Sequence, residues 1–319
     1  MKQVLLTGAT GFIGRHAIRP LIERGFDVHC IYRSTKPISV SNEKHVTWHQ
    51  ADLLNRNDIE KLFDSVSPKY LLHLSWDVTP GTYLESINNF NWLVSSLHLL
   101  YEFAESGGTR AVCAGTCFEY DLRYGYCTEN FTPTVPTTYY GSCKYQLQSI
   151  GEKYADKVGL DFVWGRIFYP YGPHEHPTRL VPSVINSLLN CETAQCTHGN
   201  QIRDFLHVTD VADAFAAILD SEVNGIINIG SGKPVSIKEL VMQIAQFLGK
   251  EDDIRLGALL ARENEPPFIV ADTGRLKNEV RWSQKYSLQE GIMDTISWWK
   301  NYYCDNFKKK YSEETHGQN

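Results

Sequence analysis

Several features that would assign a protein class are missing from this 319-residue sequence. No apolar run approaches the roughly 18 residues that span a bilayer, and glycines interrupt the first hydrophobic stretch, MKQVLLTGATGFIG, too early for a signal-peptide core. The eight cysteines include no C-x-x-C pair, which argues against a zinc ribbon or a thioredoxin-type motif and favours reduced thiols. We therefore expect a soluble, cytoplasmic protein with no metal site.

The sequence also lacks an excess of positive charge. Its formal net charge is -6 at pH 7, so we expect no nucleic-acid or membrane partner. With 42% hydrophobic and 21% charged residues, the composition is that of a folded globular protein. Any anionic ligand must therefore be held by a local site.

What the sequence does contain is a regular alternation of strand-like and helix-like segments. The short apolar runs KQVLLT, DVHCIY, HVTWHQ and KYLLHLSW alternate with helical stretches such as FIGRHAIRPLIERG and RNDIEKLFDSV. Two longer helical stretches, at about 83–105 and from YYGSCKYQLQSIGEKYADKVG, precede the strands TRAVCAGT and LDFVWGRI. This order favours right-handed crossovers and a doubly wound parallel α/β sheet.

The alternation changes near residue 166, where loops rich in proline, histidine and glycine begin. Helices are predicted at LVPSVINSLLN, at HVTDVADAFAAILDS and at SIKELVMQIAQFLG, the last opened by a capping box from Ser236 to Glu239. We therefore expect a large domain at 1–166 with a return segment near 205–230. A smaller α/β lobe would comprise 167–204 and 231–310, and 311–319 would be a flexible tail.

The stretch TGATGFIG follows the first predicted strand and opens the first predicted helix. Gly8 would permit the tight turn, Gly11 would let the backbone approach a pyrophosphate, and Gly14 would let the helix pack closely on the strand. The helix N-terminus then points at the anion. This spacing, in this context, predicts a dinucleotide site.

A second pattern lies in YYGSCKY, where two adjacent tyrosines precede a single lysine. Four residues is slightly more than one helical turn, so Tyr140 and Lys144 share a helix face while Tyr139 pairs with Cys143. A lysine beside a phenol favours the phenolate and lowers the pKa of the tyrosine, which suits a general acid/base. Taken alone, the same spacing also fits an exposed amphipathic face.

Together these motifs resemble the extended short-chain dehydrogenase/reductase family, in its branch of nucleotide-sugar epimerases, dehydratases and reductases. The glycine turn, Thr116 in GTCFEY, the Tyr140 and Lys144 pair, YGP at 171–173 and RDFLHVTDVADA from Arg203 occur in family order over almost the whole chain. The resemblance implies a Rossmann-type domain and a substrate-binding C-terminal lobe. It also implies that Thr116 binds the reacting sugar oxygen, Tyr140 transfers its proton and Lys144 holds the nicotinamide ribose.

Further cofactor contacts implied by the resemblance come from the glycine turn and the ends of the next strands: Gly8, Thr10, Gly11, Phe12, Ile13, Gly14, Arg33, Ser34, Lys36, Asp52, Leu53 and Leu74. The second strand ends in YRSTK, with cations and no nearby acid. A 2′-phosphate needs cationic partners, whereas NAD sites tend to place a carboxylate there. We therefore expect NADP (NADPH) rather than NAD. Asp52 matches the family position that contacts the adenine amino group, although an aspartate before a helix is also a common cap.

The reaction is inferred from the residues that follow Thr116. Family 4,6-dehydratases carry Asp and Glu there, where this chain has Cys117 and Phe118. GDP-fucose synthases combine a cysteine two places after the Thr with a histidine after YGP, and only that histidine, His174, is present. Cys117 would pack inside, facing away from the cleft if the strand continues past Thr116.

These differences favour NADPH-dependent reduction of the 4-keto group of a nucleotide-activated 4-keto-6-deoxy sugar, in deoxysugar biosynthesis. An NAD-dependent nucleotide-sugar 4-epimerase stays open, as does a non-catalytic NADP-binding regulator, against which the intact catalytic residues argue. The resemblance further implies substrate contacts from Asn91, Arg203 and Arg262, and the guanidinium groups of the two arginines would grip a diphosphate. His174 would bind substrate or support its loop. The two long helices are the family's usual dimer-forming pair, so we expect a homodimer.

Overall fold

The structure, a computed structural model, describes residues 2–36, 44–263 and 265–316, with side chains through Cys304. The strands are β1 Lys2–Thr7, β2 Phe26–Tyr32, β3 Val46–Gln50, β4 Tyr70–His73, β5 Arg110–Thr116, β6 Tyr126–Cys127, β7 Asp161–Ile167, β8 Tyr169–Tyr171, β9 Ala194–Gln195, β10 Ile202–His207, β11 Gly225–Ile229, β12 Pro234–Ser236, β13 Ile254–Arg255 and β14 Phe268–Ala271. The helices are α1 Gly14–Glu23, α2 Arg56–Ser65, α3 Asn88–Glu105, α4 Tyr139–Val158, α5 Leu180–Leu189, α6 Val208–Leu219, α7 Ile237–Leu248, α8 Gly274–Asn278 and α9 Leu288–His316. None of these helices is long and apolar enough to cross a bilayer.

The larger sheet has seven strands in the order β11-β7-β5-β4-β1-β2-β3, and every neighbouring pair is parallel. The chain adds β2 and β3 on one side of β1, then β4, β5, β7 and β11 on the other, so the order reverses between β1 and β4. In open α/β sheets, ligands bind outside the carboxyl ends of the strands at such a reversal. The predicted Rossmann-type, doubly wound sheet is confirmed.

Two hydrophobic layers cover this sheet, which explains why its strands are apolar along their length. Helices α1 and α6 pack on one face through side chains such as Ile18, Leu21 and Phe215. Helices α2, α3 and α4 cover the other face, where Leu99 and Phe103 are fully buried. The loops at the carboxyl ends are left free to form a site.

A smaller sheet lies beside the first, in the order β12-β10-β14-β6 with β8 paired to β10. Helices α5, α7 and α9 cover it. Helix α6 and strand β11, from the predicted return segment, lie on the large sheet, while β6, inside the predicted 1–166 domain, pairs with β14. That domain therefore contributes to both sheets. The predicted tail at 311–319 lies partly outside the described residues, and α9 continues to His316.

The start of α4 fixes the spacing of the predicted catalytic pair. The Thr138 hydroxyl accepts a hydrogen bond from the Gly141 amide at 3.0 Å, which caps the helix one residue before Tyr139, and Gly159 ends the helix in the left-handed region at φ 70°. Helix α3 begins at Asn88, later than the predicted 83. The preceding residues form a loop at the carboxyl end of β4.

Candidate active site

A cleft of about 980 Å³ opens at the carboxyl ends of the large sheet, where the strand order reverses. Its lining begins at the glycine turn after β1 and at the end of β2. It continues past β5 and α4 to the segment between β8 and α5 and to Arg203 on β10. The cleft therefore joins the nucleotide-binding end of the large sheet to the smaller lobe.

The glycine turn has the geometry that the sequence predicts for a pyrophosphate site. Gly8 has φ 71°, and a Cβ there would lie 2.9 Å from the backbone carbon of Leu74 and the amide of Ser75. A Cβ on Gly14 would overlap the Gly8 carbonyl oxygen, so α1 can approach the turn only without a side chain. Gly11 is exposed, and its amide donates to the Gly8 carbonyl at 2.9 Å. These residues fit a dinucleotide, which would supply or accept hydride when bound.

The predicted cofactor residues line the cleft, with the exception of Lys36, which is exposed beyond it: Gly8, Thr10, Gly11, Phe12, Ile13, Gly14, Arg33, Ser34, Asp52, Leu53, Leu74, Tyr140 and Lys144. The Asp52 carboxylate accepts a hydrogen bond from the Leu54 amide at 3.0 Å. Asn55, not Asp52, caps α2. Asp52 therefore does not serve as the helix cap, the other role open to it from sequence.

Thr116, Tyr140 and Lys144 meet in the wall of the cleft. Thr116 ends β5, the other two come from the start of α4, and all three side chains are buried. A side-chain hydrogen bond joins the Thr116 hydroxyl to the Tyr140 phenol. Tyr139 is exposed and hydrogen-bonds Cys143, so Tyr140 is the tyrosine that the helix presents to the cleft.

The electrostatics of Tyr140 differ from the prediction that Lys144 would lower its pKa. Burial raises the pKa of Tyr140 well above its ordinary value, the neighbouring Tyr83 adds to this shift, and the hydrogen bond from Thr116 opposes it. That prediction was therefore wrong, because burial is the largest influence on this phenol and raises its pKa. Tyr140 holds its proton at neutral pH.

Lys144 is held by groups that the sequence did not reveal. Its Nζ donates to the Ala114 carbonyl at 2.9 Å and lies 3.8 Å from the centre of the Trp76 ring. Burial lowers the pKa of Lys144 to about 7, while Glu119 acts in the opposite direction. Trp76 lies in the loop that follows β4, and its place near the carboxyl end of a predicted strand is the signal that could have identified it.

A buried histidine connects the elements next to the catalytic residues. His73, the last residue of β4, shares hydrogen bonds with the Thr7 hydroxyl at 2.7 Å and with the Ser96 hydroxyl at 2.8 Å. Burial lowers its pKa to about 3, so the imidazole is neutral. It joins β1, β4 and α3, and nothing in the sequence pattern singled it out.

The residues after Thr116 offer no acid or base to the cleft. They form a short 3₁₀ turn, Cys117–Glu119, rather than a continued strand, so the argument from strand alternation does not apply. Cys117 is nevertheless buried as predicted, and burial raises the pKa of its thiol. Glu119 is fully buried and accepts hydrogen bonds from the Thr116 amide and the Arg166 guanidinium, both at 2.7 Å. Phe118 lines the cleft, its ring 6.5 Å from that of Tyr140.

Of the predicted substrate residues, only Arg203 lines the cleft. It is buried and forms an ion pair with Glu265, Nη2 to Oε1, at 2.7 Å. Gln201 donates to the second oxygen of that carboxylate at 2.9 Å. The predicted guanidinium is thus in place, with a carboxylate beside it that the sequence did not identify.

Three predicted substrate residues lie elsewhere. Asn91 is on the exposed face of α3 and donates to Asn88, which does line the cleft. Arg262 is exposed, and Glu265 occupies the cleft wall in that segment. The backbone of His174 is left-handed, with φ 68°, and this turn directs the imidazole ring toward α1 and α9. The ring shares a hydrogen bond with Arg15 at 2.6 Å and lies 4.5 Å from the Trp298 ring. None of the three residues lines the cleft described above, and their contacts to substrate stay predictions.

Residues that follow His174 in the chain line the cleft where His174 was predicted to lie. Glu175, His176 and Arg179 line the cleft, and the Arg179 guanidinium lies 5.0 Å from the Tyr83 ring. Tyr83 in turn packs edge-on against Tyr140 at 5.1 Å. Fold and cleft together define a dinucleotide-dependent enzyme with a cleft between its two lobes.

Comparison with known proteins agrees with a dinucleotide-dependent enzyme. The chain matches the NAD dependent epimerase/dehydratase family over residues 4–230. The CDP-abequose synthase of Salmonella muenchen is 26% identical, covering 93% of this chain and 97% of the relative, and the dTDP-D-glucose 4,6-dehydratase of Mus musculus is 26% identical, covering 95% and 90%. The solved structure of UDP-N-acetylglucosamine 4-epimerase from Methanobrevibacter ruminantium, in complex with UDP-N-acetylmuramic acid, superposes with a TM-score of 0.84 at 25% identity, covering 94% and 98%.

The chain belongs to the NAD dependent epimerase/dehydratase family. The resemblance to extended short-chain dehydrogenases/reductases of the nucleotide-sugar branch is confirmed, as is the prediction of an NAD(P)-dependent enzyme.

Proposed function

We propose that the protein uses NADPH to reduce the 4-keto group of a nucleotide-activated 4-keto-6-deoxy sugar. The observation that carries this proposal is the segment after Thr116, where Phe118 faces the cleft, Cys117 is buried and Glu119 is bound to Arg166. Dehydration, or epimerisation beside the ketone, needs an acid or base at that place. The cleft instead retains the groups that carbonyl reduction requires.

The protonation of Tyr140 supports the same direction of reaction. A phenol with a raised pKa is a proton donor, which is what a ketone oxygen needs as hydride reaches its carbon. The Thr116 hydroxyl would bind the same oxygen and hold it against the phenol. Lys144, oriented by its contacts with Ala114 and Trp76, would hold the nicotinamide ribose.

The choice of NADPH rests on Arg33 and Ser34, which line the cleft at the end of β2. A guanidinium there can pair with a 2′-phosphate, and Asp52, a carboxylate that also lines the cleft, accepts a hydrogen bond from the Leu54 amide. Similarity to CDP-abequose synthases fits the reduction of a deoxysugar.

A nucleotide-sugar 4-epimerase is the second candidate, because it needs only Thr116, Tyr140 and Lys144, and because the superposed structure at 25% identity is an epimerase. Such an enzyme oxidises and re-reduces one carbon with a retained NAD. NAD that copurifies and resists dialysis would support it. A non-catalytic regulator would bind NADPH without turnover.

The deciding experiment follows NADPH oxidation with TDP-, GDP- and CDP-linked 4-keto-6-deoxy sugars, and then the configuration at C4. We expect oxidation with one of them and preference for NADPH over NADH. In deuterated water, mass spectrometry should find no solvent deuterium at C3 or C5 of the product. A deuteron there would show proton abstraction beside the ketone and refute simple reduction.

We further propose that the protein is a homodimer formed by α3 and α4. These helices pack together and expose a row of large apolar side chains that includes Phe90, Val94, Tyr101 and Ile150. Paired with their copies they would form a four-helix bundle. Light scattering should give twice the chain mass, and Val94→Glu should shift it toward the monomer.

A further inference from the structure

The side chain of Glu175 is the one acid in the cleft wall, among the described residues, that has a buried oxygen without a hydrogen-bond partner. Glu175 is 8% exposed, yet its Oε2 is shielded from solvent and unpartnered. A buried polar atom without a partner destabilises the fold because it has lost its hydrogen bonds to water. Because Glu175 also lines the cleft, a ligand there can supply the missing partner once the carboxyl group turns toward it.

The position of Glu175 in the cleft indicates which part of the ligand would contact it. Its wall neighbour Arg179 lies over the Tyr83 ring, and Tyr83 packs on Tyr140. Glu175 therefore borders the reacting end of the cleft, while Arg33 lines the nucleotide end after β2. Under the proposed function, the group at the reacting end is the sugar.

The charge state of this acid sets the kind of contact it makes. Burial raises the pKa of Glu175 to about 8, while the Arg179 guanidinium and the Gly172 backbone act in the opposite direction. His176, the other titratable group beside it in the wall, shares its hydrogen bond with Thr178 at 2.9 Å. At neutral pH Glu175 is a neutral carboxylic acid with a proton to donate.

We propose that Glu175 is a sugar-binding residue, donating a hydrogen bond from its carboxyl group to an uncharged oxygen of the substrate sugar. This role rests on the proposed function only in that the cleft holds a nucleotide sugar. It predicts that Glu175 contributes to the affinity for the sugar and not to the affinity for the nucleotide or the dinucleotide. It also predicts selection for sugars with a hydroxyl or carbonyl oxygen at the contacted position, over sugars with a carboxylate there.

The test compares Glu175→Gln, which keeps a donor, with Glu175→Met, which keeps only the bulk. Glu192→Gln, an exposed glutamate after α5, is the matched control. Calorimetry measures the dissociation constants of the nucleotide sugar that the wild type binds, of the matching nucleoside diphosphate and of NADPH, from pH 6.5 to 9. Thermal melting reports stability.

Loss of one hydrogen bond predicts that Glu175→Met weakens sugar-nucleotide binding about three- to ten-fold, leaving the diphosphate and NADPH within two-fold. Glu175→Gln should stay near the wild type at pH 7. The wild type should lose sugar affinity above pH 8, and Glu175→Gln should not. Glu175→Met should also raise the melting temperature, because it removes an unpartnered buried acid.

Three results would overturn the assignment: equal losses for the nucleotide sugar and the diphosphate, a loss confined to NADPH, or a Glu175→Met protein that melts lower and binds normally. The last would make Glu175 a packing residue. Nucleotide-sugar binding without NADPH oxidation by the wild type would refute the proposed reductase function alone. Absence of any nucleotide-sugar binding would refute both proposals.

Discussion

Replacing Lys144 by methionine should abolish turnover and yet make the protein more stable at acidic pH. Methionine matches the length of the buried stem and removes the ammonium group. The folded protein holds that ammonium with a pKa of about 7 in place of the ordinary 10.5, and burial is the largest cause. Holding the charge therefore costs free energy whenever the lysine is protonated in the folded state.

The size of the effect follows from the shift. A pKa lowered from 10.5 to about 7 corresponds to about 5 kcal/mol. Methionine carries no charge, so it avoids this cost. Lys144→Met should thus stabilise the fold by up to about 5 kcal/mol below pH 7.

The sign of the pH dependence provides the sharper test. Between pH 7 and 10.5 the unfolded chain keeps the lysine proton that the folded protein has released, so wild-type stability gains a contribution that rises with pH. The variant lacks this contribution, so its advantage should be constant below pH 7 and shrink as pH increases to 9. Urea unfolding at pH 6, 7, 8 and 9 measures the difference, with Lys153→Met, on the same helix, as control. A variant less stable than wild type at pH 6, or a difference independent of pH, would refute the reasoning.

Three further predictions concern the catalytic tyrosine, the preference for NADPH and the loop that contains His174. Tyr140→Phe should reduce turnover about 100- to 10,000-fold with NADPH affinity within a few-fold, whereas Tyr139→Phe should be mild; the reverse order would show that the wrong tyrosine is assigned. Arg33→Ala should raise the Michaelis constant for NADPH about ten- to a hundred-fold and barely change that for NADH, and equal effects on both would count against a phosphate contact. His174→Asn should lower the melting temperature and leave the substrate Michaelis constant unchanged, because asparagine tolerates φ 68° but cannot pack on α9; a changed constant would restore His174 as a substrate residue.

Much of the fold could be predicted because its signals are local. The apolar runs of a sheet buried on both faces, the glycine turn and the four-residue spacing of Tyr140 and Lys144 all follow from short-range geometry. Strand β6 could not be found in this way. Its two residues, Tyr126 and Cys127, are too few for a periodic signal, and their partner strand lies more than 140 residues along the chain, at Val270 and Ala271.

The site was predictable on the nucleotide side and poorly so on the sugar side. Contacts to the dinucleotide come from turns that directly follow strands, so position in sequence determines position in space. The sugar side is built from loops, where one backbone angle decides which neighbour faces the cleft. At His174 the left-handed turn puts that ring outside and Glu175 inside. The prediction of a lowered pKa for Tyr140 was wrong for a similar reason, because the burial of a side chain depends on tertiary packing and not on sequence spacing.

The pairing of β6 with β14 also bears on how the molecule unfolds. The chain crosses between the two sheets several times: β6 belongs to the smaller sheet, β7 to the larger, β8 and β10 to the smaller and β11 to the larger. Because the segments of each sheet are joined through strands of the other, unfolding one sheet loosens the chain connections of both, and we expect the two lobes to unfold together. Calorimetry should give one endotherm with equal calorimetric and van't Hoff enthalpies, and cleavage between β7 and β8 should leave two fragments that fold only together.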